Sequence, residues 1–207
     1  MQRSVEIIKC LKKEYPEAGT LLRHSSPFQF MVAVVLSAQS TDEQVNRVTA
    51  ELFADYGTPE ALAAIDLSLL EEKIRGVGLY RNKARHLKKL AQIIVEQYQG
   101  EVPSEFDKLL SLPGVGRKSA NVIRSVAFKK PGLGVDTHVH RVANRLGLVN
   151  SKLPEQTEKA LKEQIPEECW SEAHHLLIFH GRRICQARKP QCNNCLIEGL
   201  CEKRFGK

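Results

Sequence analysis

Apolar residues along this chain recur at helical spacing nearly everywhere, and no alternating strand pattern persists for more than a few residues. An amphipathic pattern opens at the N-terminus. Val45, Val48, Leu52 and Tyr56 follow Thr41 and Asp42, which read as helix caps. Thr58-Pro59-Glu60 predicts an N-cap with proline at the first helical position. Asp66 opens a short helix through Leu69, Leu70 and Ile74, with Gly76 beyond its end. A longer helix fits Leu87, Leu90, Ile93, Ile94 and Tyr98 and stops at Gly100. Ser104 is expected to cap the next one, and a helix through Ala120, Val122, Ile123 and Val126 follows a turn at Pro113–Gly116. Asp136 starts another that closes near Gly147, and two more precede the C-terminal segment. About ten short helices make the chain all-α. The tripeptide Gly-Val-Gly occurs at 76–78 and at 114–116, each time between two predicted helices. Duplication of a helical corner and shared turn chemistry explain that echo equally well.

At 207 residues the chain suffices for one large domain or two small ones. A chain of this size buries roughly 70% of its unfolded surface. Lys and Arg outnumber Asp and Glu by 31 to 24, for a net charge of +7. That balance suits a polyanionic partner, either nucleic acid or an anionic membrane surface. The longest wholly apolar run, Phe30 to Leu36, falls far short of the roughly 20 residues that span a bilayer, which disfavours a membrane. The first residues, Met1 to Glu6, lack the pattern of a secretory leader, so the expected compartment is a reducing cytoplasm.

The compartment bears on the cysteines. Cys185, Cys192, Cys195 and Cys201 form a C-x6-C-x2-C-x5-C segment too short to bury four thiols separately. In a reducing environment they point to a metal centre, either tetrahedral zinc or a [4Fe–4S] cluster. Zinc folds favour two well-separated C-x2-4-C knuckles, whereas here one C-x2-C pair is flanked by single cysteines. The spacing favours the cluster. Cys10 and Cys169 are expected to be buried thiols.

A second chemical signal is L-P-G-V-G-R-K-S, from Leu112 to Ser119. Gly114 and Gly116 permit a tight turn with no Cβ between backbone and ligand. The following helix points its N–H groups and positive dipole end at the same place. Together they form a concavity that grips a phosphate without reading bases. An ordinary αα-corner is the competing explanation.

The stretch L-P-G-V-G-R-K-S-A-N-V resembles the helix-hairpin-helix of the DNA glycosylase superfamily that also carries a Gly/Pro-rich loop and an aspartate. Residues 131–141, P-G-L-G-V-D-T-H-V-H-R, resemble that loop, with Asp136 as the aspartate. The cysteine spacing matches the family's cluster signature. The motifs occur in the family's order, and the likeness runs from about residue 5 to the C-terminus. Within the superfamily the chain is most similar to endonuclease III, the base-excision glycosylases and AP lyases for oxidised pyrimidines. The resemblance implies two helical lobes. A six-helix domain would cover about 20–130 and carry the hairpin. A [4Fe–4S] cluster domain would join 1–19 to 131–207. The lesion pocket would lie between Lys118 and Asp136.

Lys118 distinguishes bifunctional members of this superfamily from those that use water. It stands in the first helical turn beside Arg117, and both the neighbouring cation and the helix N-terminus disfavour its charged form. Its amine is therefore expected to titrate below the ordinary value of about 10.4. A lysine that only contacts phosphate is the alternative, and Lys83, just after the first Gly-Val-Gly, is a rival nucleophile. Asp136 reads by itself as an N-cap for the helix ending near Gly147. The resemblance adds a catalytic carboxylate that stabilises the cationic sugar and assists proton transfers.

Gln39, in S-A-Q-S-T-D, matches a family segment and is a candidate wedge into the space left by an extruded base. Leu79 is a candidate second wedge. A solvated helix end and plain core are their respective alternatives. Arg188 and Lys189 lie between the first two cysteines, where a cluster would brace them against the phosphate backbone. The histidines His138, His140, His174, His175 and His180 lack metal-pair spacing and read as core or surface residues. The implied partner is double-stranded DNA with damaged bases or abasic sites, bound by a monomer at the nucleoid. Two rivals from other classes stand: a non-catalytic DNA-binding module, and an electron-transfer iron–sulfur protein. A glycosylase for another lesion is the nearest enzymatic alternative.

Overall fold

The computed structural model describes residues 2–205. Among these, eleven α-helices and three short 3-10 turns carry the fold, with no strand. They divide into two compact units, one covering Leu21–Lys130 and the other joining Met1–Thr20 to Pro131–Lys207.

The unit of residues 21–130 is built round helix α2 (Pro27–Leu36), in which eight residues from Phe28 to Leu36 are buried. A helix apolar on all sides is stable only at the centre of a core, and α2 occupies that place. Ser26 caps it by accepting from the Gln29 N–H, and Pro27 follows at the first helical position. Against it pack α3 (Asp42–Tyr56), α6 (Tyr80–Tyr98) and α8 (Arg117–Ala127), with α4 (Pro59–Ala64) and α5 (Leu67–Lys73) on α3 and α6, and α7 (Phe106–Leu110) on α8. The start of α3 has a full capping box, in which Thr41 and Gln44 exchange side chain-to-backbone hydrogen bonds. Thr58 and Asp66 cap α4 and α5 as the sequence predicts. Helix α6 begins at Tyr80, well before the first apolar position that signals it, because Leu79 turns the chain in a left-handed conformation.

The Ser104 cap is not formed. Glu105 precedes α7 without a side-chain bond that caps the helix, and the Ser104 hydroxyl instead accepts from Lys130 Nζ at 2.5 Å. A lysine far along the chain competes successfully for that hydroxyl. The two Gly-Val-Gly corners share one feature: Val77 and Val115 are both buried plugs, 3% and 5% exposed. They differ in their turns. In the first corner the left-handed residue is Leu79, and in the second it is Gly114.

The other unit packs α1 (Gln2–Glu14), α9 (Thr137–Leu146), α10 (Pro154–Gln164) and α11 (Trp170–Arg183). Ile7, Ile8 and Leu11 of α1, Val139, Val142 and Leu146 of α9, and Leu176 and Leu177 of α11 share its core. Removing one such Leu side chain typically costs about 2–5 kcal/mol. Gly147 ends α9 in the left-handed conformation expected of a C-terminal glycine. Cys10 and Cys169 are half-buried at the edge of this core rather than fully buried as expected. Cys169 lines a small apolar pocket with Val5, Ile8, Ile165 and Pro166, and burial pushes its thiol pKa up. No helix of the described residues is long and apolar enough to cross a membrane.

Candidate active site and metal centre

In the unit of residues 21–130, α7, a turn and α8 form the hairpin. Gly114 has φ +81, and a Cβ there would meet His86 Cβ and Val35 Cγ1 at 3.2 Å. Both backbone and space require glycine at that position. Gly116 is different. Its φ of −89 suits any residue, and a Cβ would have nothing within 4 Å. It precedes α8 with no side-chain cap, and the space beside it at the positive end of this eleven-residue helix is empty. Arg117 lies over the Phe106 ring at 5.2 Å, joining the two helices. Lys118 is half-buried in the first turn of α8, and Ala120, Val122 and Ile123 anchor that helix in the core. Asn121, fully buried, donates to the Arg117 carbonyl at 3.2 Å and holds the first turn.

The two wedge candidates lie on adjoining corners of the same unit. Gln39 is exposed with φ 53, and Leu79 is 56% exposed with φ 57, which removes the plain-core alternative for Leu79. A non-glycine residue in that region stores about 1–3 kcal/mol and persists only where its surroundings impose it. Lys83 supplies part of that imposition. It is 5% exposed, and its Nζ donates to Leu36 O at 2.8 Å, Ala38 O at 2.5 Å and Ser40 Oγ at 3.2 Å. Burial lowers its pKa, yet three oxygen acceptors commit its amine to donation, which ends its candidacy as a nucleophile. No spacing rule flags this lysine, because its acceptors stand more than forty residues earlier.

In the other unit, Asp136 is half-buried and caps α9, with Oδ1 accepting from the Val139 N–H at 2.8 Å. The preceding residues Leu133, Gly134 and Val135 are buried. The Gly134 carbonyl lies 2.6 Å from Nδ1 of His174, which is 2% exposed. His174 thus ties α11 to the loop that delivers Asp136, a role that histidine spacing could not signal. His138 has its pKa lowered, by burial first and by Arg141 and Arg182, against the opposing pull of Asp136. His140 packs in a polar cluster with Thr157 and Asn144.

Cys185, Cys192, Cys195 and Cys201 all line one pocket with Arg145, His180 and Phe205. Among the described residues, no three His, Cys, Asp or Glu side chains gather into a group that could hold a metal ion. Tetrahedral zinc and a four-iron cluster both draw on four thiolates, the cluster taking one at each of its irons. Burial raises the thiol pKa of Cys195 and of Cys201, and the neighbouring cysteines of the set add to it. Four thiols lining one pocket are the donor set that a [4Fe–4S] cluster takes, so the residues present fit one. The surrounding contacts are specific. Arg145 Nη1 lies 3.7 Å from Cys185 Sγ, and its guanidinium also donates to the carbonyls of Gln186 at 2.7 Å and Ala187 at 2.8 Å. The Lys203 N–H donates to Cys201 Sγ at 3.3 Å. His180 Nε2 stands 3.7 Å from Cys195 Sγ, with Tyr15 O–H 3.2 Å from its Nδ1. Burial lowers the His180 pKa to about 4 and raises that of Tyr15 to about 12. Arg188 and Lys189 are exposed on the loop that Arg145 pins.

Comparison with known proteins gives these features a family. Residues 32–167 match the HhH-GPD superfamily base excision DNA repair protein family. The chain is 50% identical to endonuclease III of Bacillus subtilis over 198 residues, covering 94% of this chain and 90% of that protein. With endonuclease III of Escherichia coli strain K12 it shares 44% identity over 200 residues, covering 97% of this chain and 95% of that protein. A solved structure of a trapped endonuclease III–DNA covalent intermediate, in an estranged-adenine complex, is similar with a TM-score of 0.92 at 47% identity. That likeness covers 98% of this chain and 95% of the other. The chain belongs to the endonuclease III family of the HhH-GPD superfamily, and it is a base excision repair DNA glycosylase with lyase activity at abasic sites.

Proposed function

We propose that the protein removes oxidised pyrimidines from duplex DNA and cleaves the strand 3′ to the resulting abasic site, with Lys118 as nucleophile. The lone pair of the lysine amine forms a bond to the sugar C1′ as the C1′–N bond breaks. The base leaves with that bond's electrons and takes up a proton. Opening of the sugar ring leaves a protonated Schiff base on Lys118. Loss of a proton from C2′ then expels the 3′-phosphate by β-elimination, and water releases the lysine. Asp136 stabilises the positive charge that develops on the sugar and assists the proton transfers while it caps α9. Gln39 and Leu79 enter the stack vacated by the extruded nucleotide.

Gly114, Gly116 and Arg117 hold a backbone phosphate beside Lys118. Cys185, Cys192, Cys195 and Cys201 hold a [4Fe–4S] cluster that braces the loop of Arg188 and Lys189 against phosphates. The protein acts as a monomer on cytoplasmic, nucleoid-associated DNA. The observation that carries this reading is the uncapped start of α8, where Gly116 leaves open space and Lys118 stands in the first turn. The relative trapped covalently on DNA supports a covalent route.

Borohydride trapping on a duplex containing thymine glycol tests it. Wild type is expected to form a covalent adduct and Lys118→Gln to form none. An adduct of equal yield with Lys118→Gln assigns the nucleophile elsewhere. Excision of the base without any wild-type adduct makes water the nucleophile.

A further inference from the structure

Lys83 touches both wedge corners. Its ammonium gathers Leu36 O, Ala38 O and Ser40 Oγ, the acceptors that frame Gln39. Its backbone N–H donates to the Leu79 carbonyl at 3.1 Å as the first bond of α6, which any residue there would make, so the side chain reaches the Leu79 corner through Ser40. The Ser40 hydroxyl carries the link further by accepting from the Gly78 N–H at 3.1 Å. The contact has no slack, since a Cβ on Gly78 would come within 2.9 Å of the Gln39 carbonyl. Gln39 and Leu79 are thus two exposed left-handed residues on separate loops, held by one buried cation and one hydroxyl.

Burying a lysine takes its charge out of water, and an apolar residue of similar length would fill the same volume without that penalty. Three acceptors drawn from one five-residue corner give the ammonium a specific task. It fixes the corner's carbonyls inward, so the Gln39 side chain is turned outward. Independent wedges would each have to be ordered when the duplex opens. Wedges joined beforehand meet the DNA already in place, which spares the ordering entropy at binding.

We propose that Lys83 and Ser40 are positioning residues that join the Gln39 and Leu79 corners into one preorganised part, which enters the duplex as a unit. This rests on the wedge reading of Gln39 and Leu79 given above.

The test uses 2-aminopurine placed opposite a tetrahydrofuran abasic analogue in duplex DNA, a site that the lyase reaction cannot cleave. Fluorescence then reports the unstacking of the partner base. Wild type is expected to produce a strong change, and Lys83→Met to reduce the apparent affinity for that state by about tenfold, with Ser40→Ala reducing it by about threefold. The ratio of single-turnover excision on duplex to that on single-stranded substrate falls in step. Lys83→Arg, which keeps the donors, restores part of both readouts. In a Gln39→Ala Leu79→Ala background, Lys83→Met adds nothing further.

An unchanged fluorescence response in both Lys83→Met and Ser40→Ala overturns the inference, as does a loss of equal size in the background that lacks both wedges. If the double wedge variant itself responds like wild type, the wedge reading falls and this inference with it. If that variant loses the response while Lys83→Met and Ser40→Ala keep it, only the inference falls. Should Lys83→Met fail to fold, Ser40→Ala decides, because it removes one hydroxyl and leaves the buried cation bonded to two carbonyls.

Discussion

Asp136 caps α9, and a single substitution can separate that cap from the catalytic duty proposed for it. Its Oδ1 accepts from the Val139 N–H, and asparagine offers an equivalent oxygen to that donor. Asp136→Asn is therefore expected to keep the thermal midpoint within experimental scatter while base excision falls about a hundredfold or more. Asp136→Ala removes the cap as well and should lose about 1 kcal/mol in denaturant unfolding. Equal stability losses for the two variants would show that the charge, not the cap, holds α9. The same residue shows how far single positions are legible. Asp-Thr-His reads as a helix start from its chemistry alone, because capping is a local interaction. His174 reads only as a core or surface residue, because its task is defined by the Gly134 carbonyl, forty residues earlier in the chain.

Helices and turns give a sharper contrast. Gly114 and Gly116 look equivalent in the motif, yet only Gly114 has a positive φ and crowded neighbours. Gly114→Ala is expected to destabilise by more than about 1 kcal/mol, from backbone strain and from displacement of His86. Gly116→Ala should change stability by less than about 0.5 kcal/mol and weaken duplex binding instead, since its methyl occupies the approach to α8. Paired denaturant melts and filter-binding measurements check both, and a large stability loss at Gly116 would refute this division. Caps at Thr41, Thr58 and Asp66 form where the sequence places them, since each needs only the next few residues. Ser104 fails for the complementary reason: Lys130 reaches it from outside the helix.

For the whole molecule, a net charge of +7 makes salt the natural variable. If Arg188 and Lys189 each neutralise one phosphate, replacing both with alanine should flatten the slope of log K against log salt by about 1.8. Affinity for matched and lesion-containing duplexes should fall by similar factors, because phosphates carry no sequence information. An unchanged slope would remove the loop from the DNA surface. Arg145 gives the complementary variant. It holds the carbonyls of Gln186 and Ala187, so Arg145→Met is expected to weaken DNA binding without removing any exposed charge from the loop.

The sequence by itself determined the all-α character and, through its resemblance, the family; the four cysteines and the hairpin lysine are its candidates for the site. The helices follow from periodicity and local capping, which are interactions between near neighbours in the chain, and the family from its likeness to motifs that occur in a fixed order. Tertiary structure alone decided that Lys83 is a buried strut, that Leu79 is exposed and that Arg145 pins the cysteine loop. It also decided that the cysteines share one pocket, and that only one of the two hairpin glycines is conformationally required. Each of those outcomes depends on which distant groups reach the same point in space. A buried charge or an exposed leucine acquires its role from partners that only the folded chain brings within reach.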